Sequence, residues 1–499
     1  MNRQKFPRKV VFEEGGASSP HMRSFDSLKG ELYFRRIMLF SSIEFLYYFL
    51  PAVMILYFLV PKALKNAVLL VASLIFYAWG EPMYVFLMIG VILVGYLFGL
   101  GMQTRFKKLC LVGSIVCLLL ILGYFKYVDF FIESFNAVTG LSVGLLRVAL
   151  PIGISFYTFQ VLSYEIDVYR GNVKVQKNII DFATFVALFP QLIAGPIVRY
   201  ADIEAQLKTR EHTMQRFREG LGRFIVGLAK KALIANNLAA FVSAFRASTN
   251  PSVLFYWLYA LAFTLQLYFD FSGYSDMAIG LGKVFGFDFP ENFDYPYLSK
   301  SATEFWRRWH KTLGGWFRDY VYIPLGGNRV KKWRWVFNTF VVWLLTGLWH
   351  GAAWNFVLWG LLFFVLLMIE KLWLKRYLDK SKVLSRVYLL FFVVMSFVLF
   401  NANSMAEAGK DFACLFGFGD LPFINEETIY YLRSNAVLFL AGIVGSVPLV
   451  KNLVVRMRST GWGEKVFAVA EPVVLLGFLL LVTAYLVDGS FNPFLYFRF

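Results

Sequence analysis

Charged residues are scarce in this chain of 499 residues: Asp, Glu, Lys and Arg together make up only 16% of it. Soluble domains are roughly 25% charged and about 45–50% apolar, whereas 58% of this sequence is hydrophobic and its mean hydropathy is +0.58. So much apolar surface needs a lipid bilayer as its solvent, which excludes a soluble globular protein. Apolar segments recur almost from end to end, and this predicts one integral membrane domain.

Cysteine is also rare, and several well-known catalytic motifs are missing. Cys110, Cys117 and Cys414 form neither a disulfide framework nor a metal-binding spacing. The sequence contains no HExxH zinc motif, no Walker-type phosphate loop and no GxSxG elbow. Zinc hydrolysis, nucleotide hydrolysis and serine-hydrolase chemistry therefore lack support, and no metal site is predicted.

Acidic residues are outnumbered: 50 Lys and Arg face 32 Asp and Glu, a net charge of +18. In a membrane protein such an excess is typical of basic cytoplasmic loops and of contact with anionic lipid headgroups. The basic residues lie in short loops between apolar runs, so membrane lipid is a predicted partner and nucleic acid is not. An anionic ligand at the cytoplasmic face remains open.

The first 37 residues differ in kind from the rest. They carry eight basic and four acidic residues and no apolar run of signal-peptide length. The loops at Lys62 and at 105–108 are basic and the turn 80–82 is not, which places the start of the first span outside, where a +4 tail breaks the positive-inside rule. We therefore predict that 1–37 is a disordered N-terminal extension outside the mature protein, that Met38 serves as initiator, and that 38–499 is a single domain.

Most membrane spans are visible as uncharged or nearly uncharged runs of about 20 residues: 45–61, 66–80, 82–104, 109–125, 247–269, 387–406, 434–450 and 472–487. The apolar segments 143–164, 179–198 and 271–330 are broken by Pro, Gly and isolated charges. Irregular backbone at membrane depth has to be shielded by protein or to face water, so these segments are expected to build the interior. The uncharged run 335–369 predicts a helix break near its middle, close to His350.

Histidine occurs only four times, as His21, His212, His310 and His350. His21 lies in the tail, and His212 lies in a polar loop where a solvated side chain is expected. An ionisable group at membrane depth is costly and marks function, and imidazole can accept and donate a proton near neutral pH. His350 is therefore the first catalytic candidate, against the alternative of a structural histidine bonded between helices.

The second histidine ends an aromatic and basic segment. One helix over this segment places Phe305, Trp309, Thr312 and Trp316 on one face and the basic side chains on the other. Such a helix either anchors at the inner interface or lies beside a thioester or phosphate ligand. Elsewhere, polar residues interrupt apolar stretches and serve either as contacts between helices or as substrate contacts: Gln191, Gln266, Asn355 and the cluster 270–276.

Several motifs together resemble the membrane-bound O-acyltransferase (MBOAT) family, over residues 38–499. They are 150–160 (LPIGISFYTFQ), 189–191 (FPQ), 195–197 (GPI) and 270–280 (DFSGYSDMAIG). The strongest are 304–310 (EFWRRWH) and 316–329 (WFRDYVYIPLGGNR). With 346–351 (TGLWHG) and 492–497 (NPFLYF), the chain is similar to the alginate O-acetyltransferase branch of that family.

The resemblance implies an all-α polytopic fold of about 11 transmembrane helices, with re-entrant helices around a central funnel. It identifies His310 and His350 as the two family histidines and gives the second the catalytic role. Four basic residues become candidates for the phosphates of an acyl-CoA, because guanidinium forks suit phosphate: Arg307, Arg308, Lys311 and Arg318. Five further residues are candidates for the substrate tunnel: Gln191, Asp270, Ser272, Trp306 and Asn355.

The resemblance also implies a reaction. An acetyl group from a cytoplasmic thioester, acetyl-CoA or an equivalent co-substrate, would cross a bacterial inner membrane to hydroxyls of an exopolysaccharide or cell-wall glycan, through an extracytoplasmic partner of the SGNH type. No permanently bound cofactor is implied. Two alternatives stay open: D-alanyl transfer to teichoic acid, and a glycan transporter or flippase, although the inverted halves common in transporters are not visible here.

Overall fold

The computed structural model describes residues 38–488, and within them the chain is helical, without β-strands. The first half contains α1 (Glu44–Leu59), α2 (Lys62–Gly80), α3 (Tyr84–Gly101), α4 (Lys107–Thr139), α5 (Ile154–Arg170), α6 (Ile179–Ala187), α7 (Phe189–Leu192), α8 (Tyr200–Lys208) and α9 (Met214–Ala247). The second half contains α10 (Val253–Val284), α11 (Ala302–Arg308), α12 (Lys311–Phe317), α13 (Lys332–His350), α14 (Trp354–Leu378), α15 (Lys382–Asn401), α16 (Met405–Leu415), α17 (Glu426–Gly445), α18 (Leu449–Arg458) and α19 (Gly461–Val487).

Nine helices within residues 38–488 are long and apolar enough to cross a membrane: α2, α3, α4, α9, α10, α14, α15, α17 and α19. The all-α polytopic prediction is confirmed, and the count of about 11 spans is not. The pattern of uncharged runs did not predict α9 as a span, because Lys230 and Lys231 interrupt its apolar residues. Each of these lysines is paired with an acid on α10, Lys230 with Asp276 at 2.7 Å and Lys231 with Asp270 at 2.6 Å.

The most deeply buried span is α10, of whose most apolar window 83% is buried inside the protein. The sequence predicted irregular backbone from 271 onward, and for 271–284 this was wrong. The helix continues to Val284 because the acids that made it look broken, Asp270 and Asp276, are neutralised by α9. A carboxylate that is paired with an ammonium can stay inside a membrane bundle at a lower free-energy cost than an unpaired one.

Contacts between loops define the two faces of the bundle. Lys65, in a basic turn, lies 4.5 Å from the ring centroid of Tyr57, whose hydroxyl donates to the carbonyl of Phe285 at 2.8 Å. The carboxyl end of α10 is therefore on the basic side, here called the inner face. Tyr84, directly after the uncharged turn 80–82, donates to the carbonyl of Ala149 at 3.1 Å, so the segment leading into α5 lies at the opposite, outer face.

Two helix breaks shape the interior. The break predicted in 335–369 is confirmed, since α13 ends at His350 and α14 begins at Trp354. The single helix predicted across 305–318 was wrong, because His310 adopts a left-handed backbone (φ +44°) that separates α11 from α12. The predictions for the tail 1–37, including His21, and for the motif 492–497 lie outside the described residues, and the division into tail and domain stays a prediction.

Candidate active site

His350 lies at the end of α13 and is only 6% exposed. Its ring packs against Trp359 and Phe400, with centroid separations of 4.9 and 5.5 Å. Its Nε2 atom has no hydrogen-bond partner among the described residues. A buried polar atom without a partner needs an explanation, such as a catalytic role or a bound ligand or water.

The carbonyls that end α13 are capped from α4. The last four carbonyls of a helix have no partner within it, and two of them bind side chains of a π-helical segment, Gly123–Tyr127. Tyr127 donates to the carbonyl of Leu348 at 2.8 Å, and the Lys126 ammonium donates to that of Trp349 at 2.5 Å. These bonds hold the end of the helix, and so His350, against α4.

A small cavity, here called the outer cavity, borders His350. It is lined by the segment 150–156 and by Lys126, Ile193, Trp349 and His350. The wall needs a sharp turn at Gly153, whose φ is +74° and where a Cβ atom would lie 2.8 Å from the carbonyl oxygen of Leu192. Since segment 150–156 lies at the outer face, this cavity connects that face with His350.

A second cavity, the inner cavity, lies alongside α13, and His350 does not line it. Arg307, Lys311 and Arg318 border it, together with Trp306 and Thr346. Thr346 is about one helical turn before His350, and Trp306 packs 5.6 Å from Trp359, which contacts the histidine. The inner cavity therefore approaches His350 from the basic face and the outer cavity from the opposite face.

His310 is completely buried and lies one side chain away from His350. Both rings pack on Trp349, with centroid separations of 5.6 Å for His310 and 5.0 Å for His350. The His310 Nδ1 lies 3.1 Å from the amide oxygen of Asn292, which also accepts from Thr312 at 2.9 Å. The structure therefore brings the two candidate histidines together and fixes the inner one from a loop.

The four predicted phosphate contacts do not behave alike. Arg307 and Lys311 border the inner cavity, and so does Arg318, although the latter is bonded to Asp319 at 2.6 Å. Arg308 does not border it, since it pairs with Glu304 at 3.0 Å on its own helix. Burial raises the pKa of Asp319, but hydrogen bonds from Arg318 and Arg199 outweigh it and hold that pKa below its ordinary value. Asp319 is therefore ionised and competes with an anionic ligand for Arg318.

The predicted tunnel residues also divide. Trp306 borders the inner cavity, and Ser272 borders a third, polar cavity beside Asn292. Gln191 donates to the carbonyl of Phe185 at 2.6 Å, Asn355 donates to that of Ala402 at 3.0 Å, and Asp270 pairs with Lys231. These last three make contacts between segments, border none of the cavities described above, and keep a tunnel role only as a prediction.

Sequence reasoning missed two residues of this site. Lys126 follows the uncharged run 109–125 immediately, and a lysine in the interior of a 33-residue apolar helix is a detectable signal. Asn292 lies in an ordinary polar loop and carries no such signal. Within the described residues, no cluster of three His, Cys, Asp or Glu could hold a metal ion.

Comparison with known proteins identifies the family. Residues 171–406 match the model of MBOAT, the membrane-bound O-acyltransferase family. A probable alginate O-acetylase of Pseudomonas putida is 42% identical over 486 residues, which cover 93% of this chain and 100% of that protein. The chain belongs to the membrane-bound O-acyltransferase family. This membrane-bound O-acyltransferase is thus a multi-pass membrane enzyme that transfers acyl groups to hydroxyls.

Two other relatives of this O-acyltransferase act on different polymers. A peptidoglycan O-acetyltransferase of Helicobacter pylori is 34% identical over 465 residues, covering 84% of this chain and 88% of that protein. A teichoic acid D-alanyltransferase of Bacillus subtilis is 31% identical over 273 residues, covering 50% of this chain and 69% of that protein. Both histidines of the site lie within the segment that matches the family model.

Proposed function

We propose that this enzyme passes an acetyl group from acetyl-CoA, bound in the inner cavity, to a hydroxyl that enters the outer cavity, with His350 as the general base. The observation that carries the proposal is the position of His350. It is buried, its Nε2 is unpartnered, and cavities from opposite faces approach it.

Acyl transfer from a thioester to a hydroxyl requires mainly that the two reactants be positioned and that one proton be transferred. A thioester is already activated, so catalysis requires that a hydroxyl be held close, lose its proton and attack the carbonyl carbon. The Nε2 of a neutral His350 accepts that proton and then donates it to the departing thiolate. His310, one indole ring away, orients the donor or assists at the inner side.

The inner cavity suits the donor. Arg307 and Lys311 supply cations for the CoA phosphates, and the aromatic rings of Trp306 and Trp343 line the same cavity together with Thr346. An apolar lining around the acetyl thioester excludes water, which otherwise hydrolyses the activated acyl group.

The acceptor is a glycan outside the cytoplasmic membrane of a bacterium. Relatives whose names refer to alginate, peptidoglycan and teichoic acid support an exopolysaccharide or cell-wall acceptor. An extracytoplasmic partner of the SGNH type, which accepts the acetyl group at the small outer cavity and carries it onward on its serine, completes the scheme. Acetyl transfer is preferred to D-alanyl transfer because the similarity to acetylases extends over more of the chain.

Substitution of His350 tests the base role. We expect His350→Ala and His350→Gln to reach the membrane in normal amount and to leave the glycan without acetyl ester, while His212→Ala, which lines neither cavity, retains esterification. The measurement is ester-linked acetate per mass of isolated glycan. Normal acetate in His350→Ala would exclude the base role, and loss of the exported glycan itself would favour a flippase.

The donor needs a separate assay. Inverted membrane vesicles from producing cells, supplied with acetyl-CoA labelled in the acetyl group, should incorporate label into glycan in the wild type and not in His350→Ala. Absence of label with the wild type, when the same cells acetylate their glycan, would point to a different acyl carrier.

A further inference from the structure

Lys126 brings a positive charge into the outer cavity, directly beside the catalytic candidate. It lies within α4, whose most apolar window is only 17% buried in protein, yet its ammonium turns toward the bundle. There it donates to the carbonyl of Trp349 at 2.5 Å and to the hydroxyl of Ser155 at 3.2 Å. An ammonium has three N–H donors, so one remains for a ligand.

No carboxylate neutralises this lysine within residues 38–488. The nearest acid along the chain, Asp129, accepts from the backbone N–H groups of Leu146 and Val148 at 2.8 and 3.1 Å. Capping a helix end uses a lysine well, but Tyr127 caps the neighbouring carbonyl without any charge. An ionised side chain at membrane depth is expensive, so capping alone does not explain a lysine here.

A second donor faces the same cavity. Helix α5 begins at Ile154, and its N-cap residue, Gly153, has no side chain to bind the free N–H groups. Pro151 and Gly153 accept from Ile154, Phe156 and Tyr157, which leaves the N–H of Ser155 without a partner in the described chain. Free N–H groups at the start of a 17-residue helix attract negative charge.

His350 forms the third wall of the cavity. The residue is only 6% exposed, and its Nε2 has no partner among the described residues. A base and two unused donors of positive character therefore border one small space. This is the arrangement that acyl transfer needs, since the oxygen of the attacked carbonyl becomes negative as the base takes up a proton.

We infer that the Lys126 ammonium and the Ser155 N–H form an oxyanion site, which holds the acyl carbonyl oxygen on the outer side of His350. This rests on the proposed function. The acceptor oxygen bonds to the carbonyl carbon, the C=O electron pair moves to the oxygen held by Lys126 and Ser155, and Nε2 of His350 takes the hydroxyl proton. The C=O bond then re-forms, the C–S bond breaks, and the thiolate leaves with the proton from His350.

The test replaces the charge and compares it with a neutral cap. In the inverted vesicles described above, with acetyl-CoA varied, we expect Lys126→Met to lower the maximal rate by about 100- to 1000-fold, the effect of removing an oxyanion donor. The KM for acetyl-CoA should stay within about twofold, because the donor binds from the other face. Lys126→Arg keeps the charge and should retain at least about a tenth of the rate.

Tyr127→Phe is the matched control for helix capping, since it removes a bond to the adjacent carbonyl and no charge. We expect it to lose at most about tenfold. Equal losses in Lys126→Met and Tyr127→Phe, or a rate in Lys126→Met within tenfold of the wild type, would overturn the oxyanion site. Equal losses in Lys126→Arg and Lys126→Met, with normal amounts of both proteins in the membrane, would overturn it as well.

Failure of the proposed function looks different. If the wild type transfers no label from acetyl-CoA although the same cells acetylate their glycan, the donor assignment fails, and normal glycan-linked acetate in Lys126→Met cells would then overturn the oxyanion site as well. If the wild type transfers label and Lys126→Met does so equally well, only the oxyanion site fails.

Discussion

At the scale of single residues, environment separates side chains of the same type. Arg307 and Arg308 are neighbours in sequence, yet only the first borders the inner cavity, and the second is held by Glu304. His212 and His350 are both histidines, yet the first lies among basic residues at the inner face and the second in an aromatic enclosure. The sequence identifies candidate site residues, and their contacts in the structure determine which of them can reach a ligand.

The two arginines give a first prediction. On the proposed function, Arg307→Ala and Lys311→Ala should each raise the KM for acetyl-CoA about 5- to 150-fold, because each removes a phosphate contact that costs about 1–3 kcal/mol to lose. Arg308→Ala should leave KM unchanged, since its charge is already paired. Initial rates in inverted vesicles give the values, and an equal rise in all three variants would contradict this division.

The pH dependence of His212 gives a second prediction. Burial, followed by the charges of Lys65 and Arg210, lowers its pKa from 6.5 to about 4. Between pH 6.5 and 4, His212 therefore binds a proton in the unfolded chain and not in the folded chain. The free energy of unfolding falls as the pH drops through this range. Thermal unfolding of the wild type and of His212→Gln should diverge in that range, with the variant relatively more stable at pH 5. Parallel curves at pH 5 and 7.5 would contradict the shift.

At the scale of helices, the sequence predicted the positions of the apolar segments more accurately than the residues at which the helices end. The break after His350 was visible, because glycines interrupt an uncharged run too long for one span. The continuation of α10 past Phe271 was not, because its acids are paired only by α9, a distant segment. The break at His310 was also hidden, since it depends on Asn292 and on a left-handed backbone that helical spacing does not register.

The contact between α13 and α14 gives a third prediction. A Cβ atom on Gly347 would lie 2.5 Å from the carbonyl oxygen of Phe356, so the two helices meet there only with glycine. Gly347→Val should destabilise the protein by at least about 1–3 kcal/mol and lower its thermal midpoint in detergent. Gly477→Ala, in α19 where a Cβ meets nothing within 4 Å, is the control and should leave the midpoint unchanged or higher.

The buried pair between α9 and α10 gives a fourth prediction. Lys231 and Asp270 have side chains only 3% and 4% exposed. Asp270→Leu leaves an uncompensated buried ammonium and should cost about 3–5 kcal/mol. The double variant with Lys231→Met should recover most of that loss. Thermal unfolding or protein yield measures it, and equal instability of the single and double variants would show that Asp270 acts through another contact.

At the scale of the whole molecule, the bundle carries two faces of different character. The basic turns and the inner cavity lie on one side, and the outer cavity with Lys126 lies on the other. On the proposed function, His350 receives reactants from both sides, and the break after α13 places this residue at a helix end inside the bundle.

Sidedness gives the fifth prediction. The Lys451 ammonium lies 5.9 Å from the ring centroid of Tyr295, beyond the inner end of α10, so in a background without the three native cysteines Lys451→Cys should react with a membrane-impermeant maleimide only in inverted vesicles. Asp420 lies in the loop between α16 and α17, which bonds to the outer end of α10 through Phe423 and Leu254, so Asp420→Cys should react in right-side-out cells. Both positions are exposed to solvent, so labelling reports the compartment. Labelling of both from the same side would contradict the assignment of faces.

The sequence by itself determined the membrane environment, the helical fold, the family and the two histidines, because hydropathy, helical period and local motifs are properties of short segments. The tertiary structure decided which basic residues share the inner cavity, which acids on α10 are neutralised, and that Lys126 and Asn292 belong beside the histidines. Those relations join residues up to 223 positions apart, as between Lys126 and Trp349. Packing between distant segments sets them, and no local pattern in the chain encodes them.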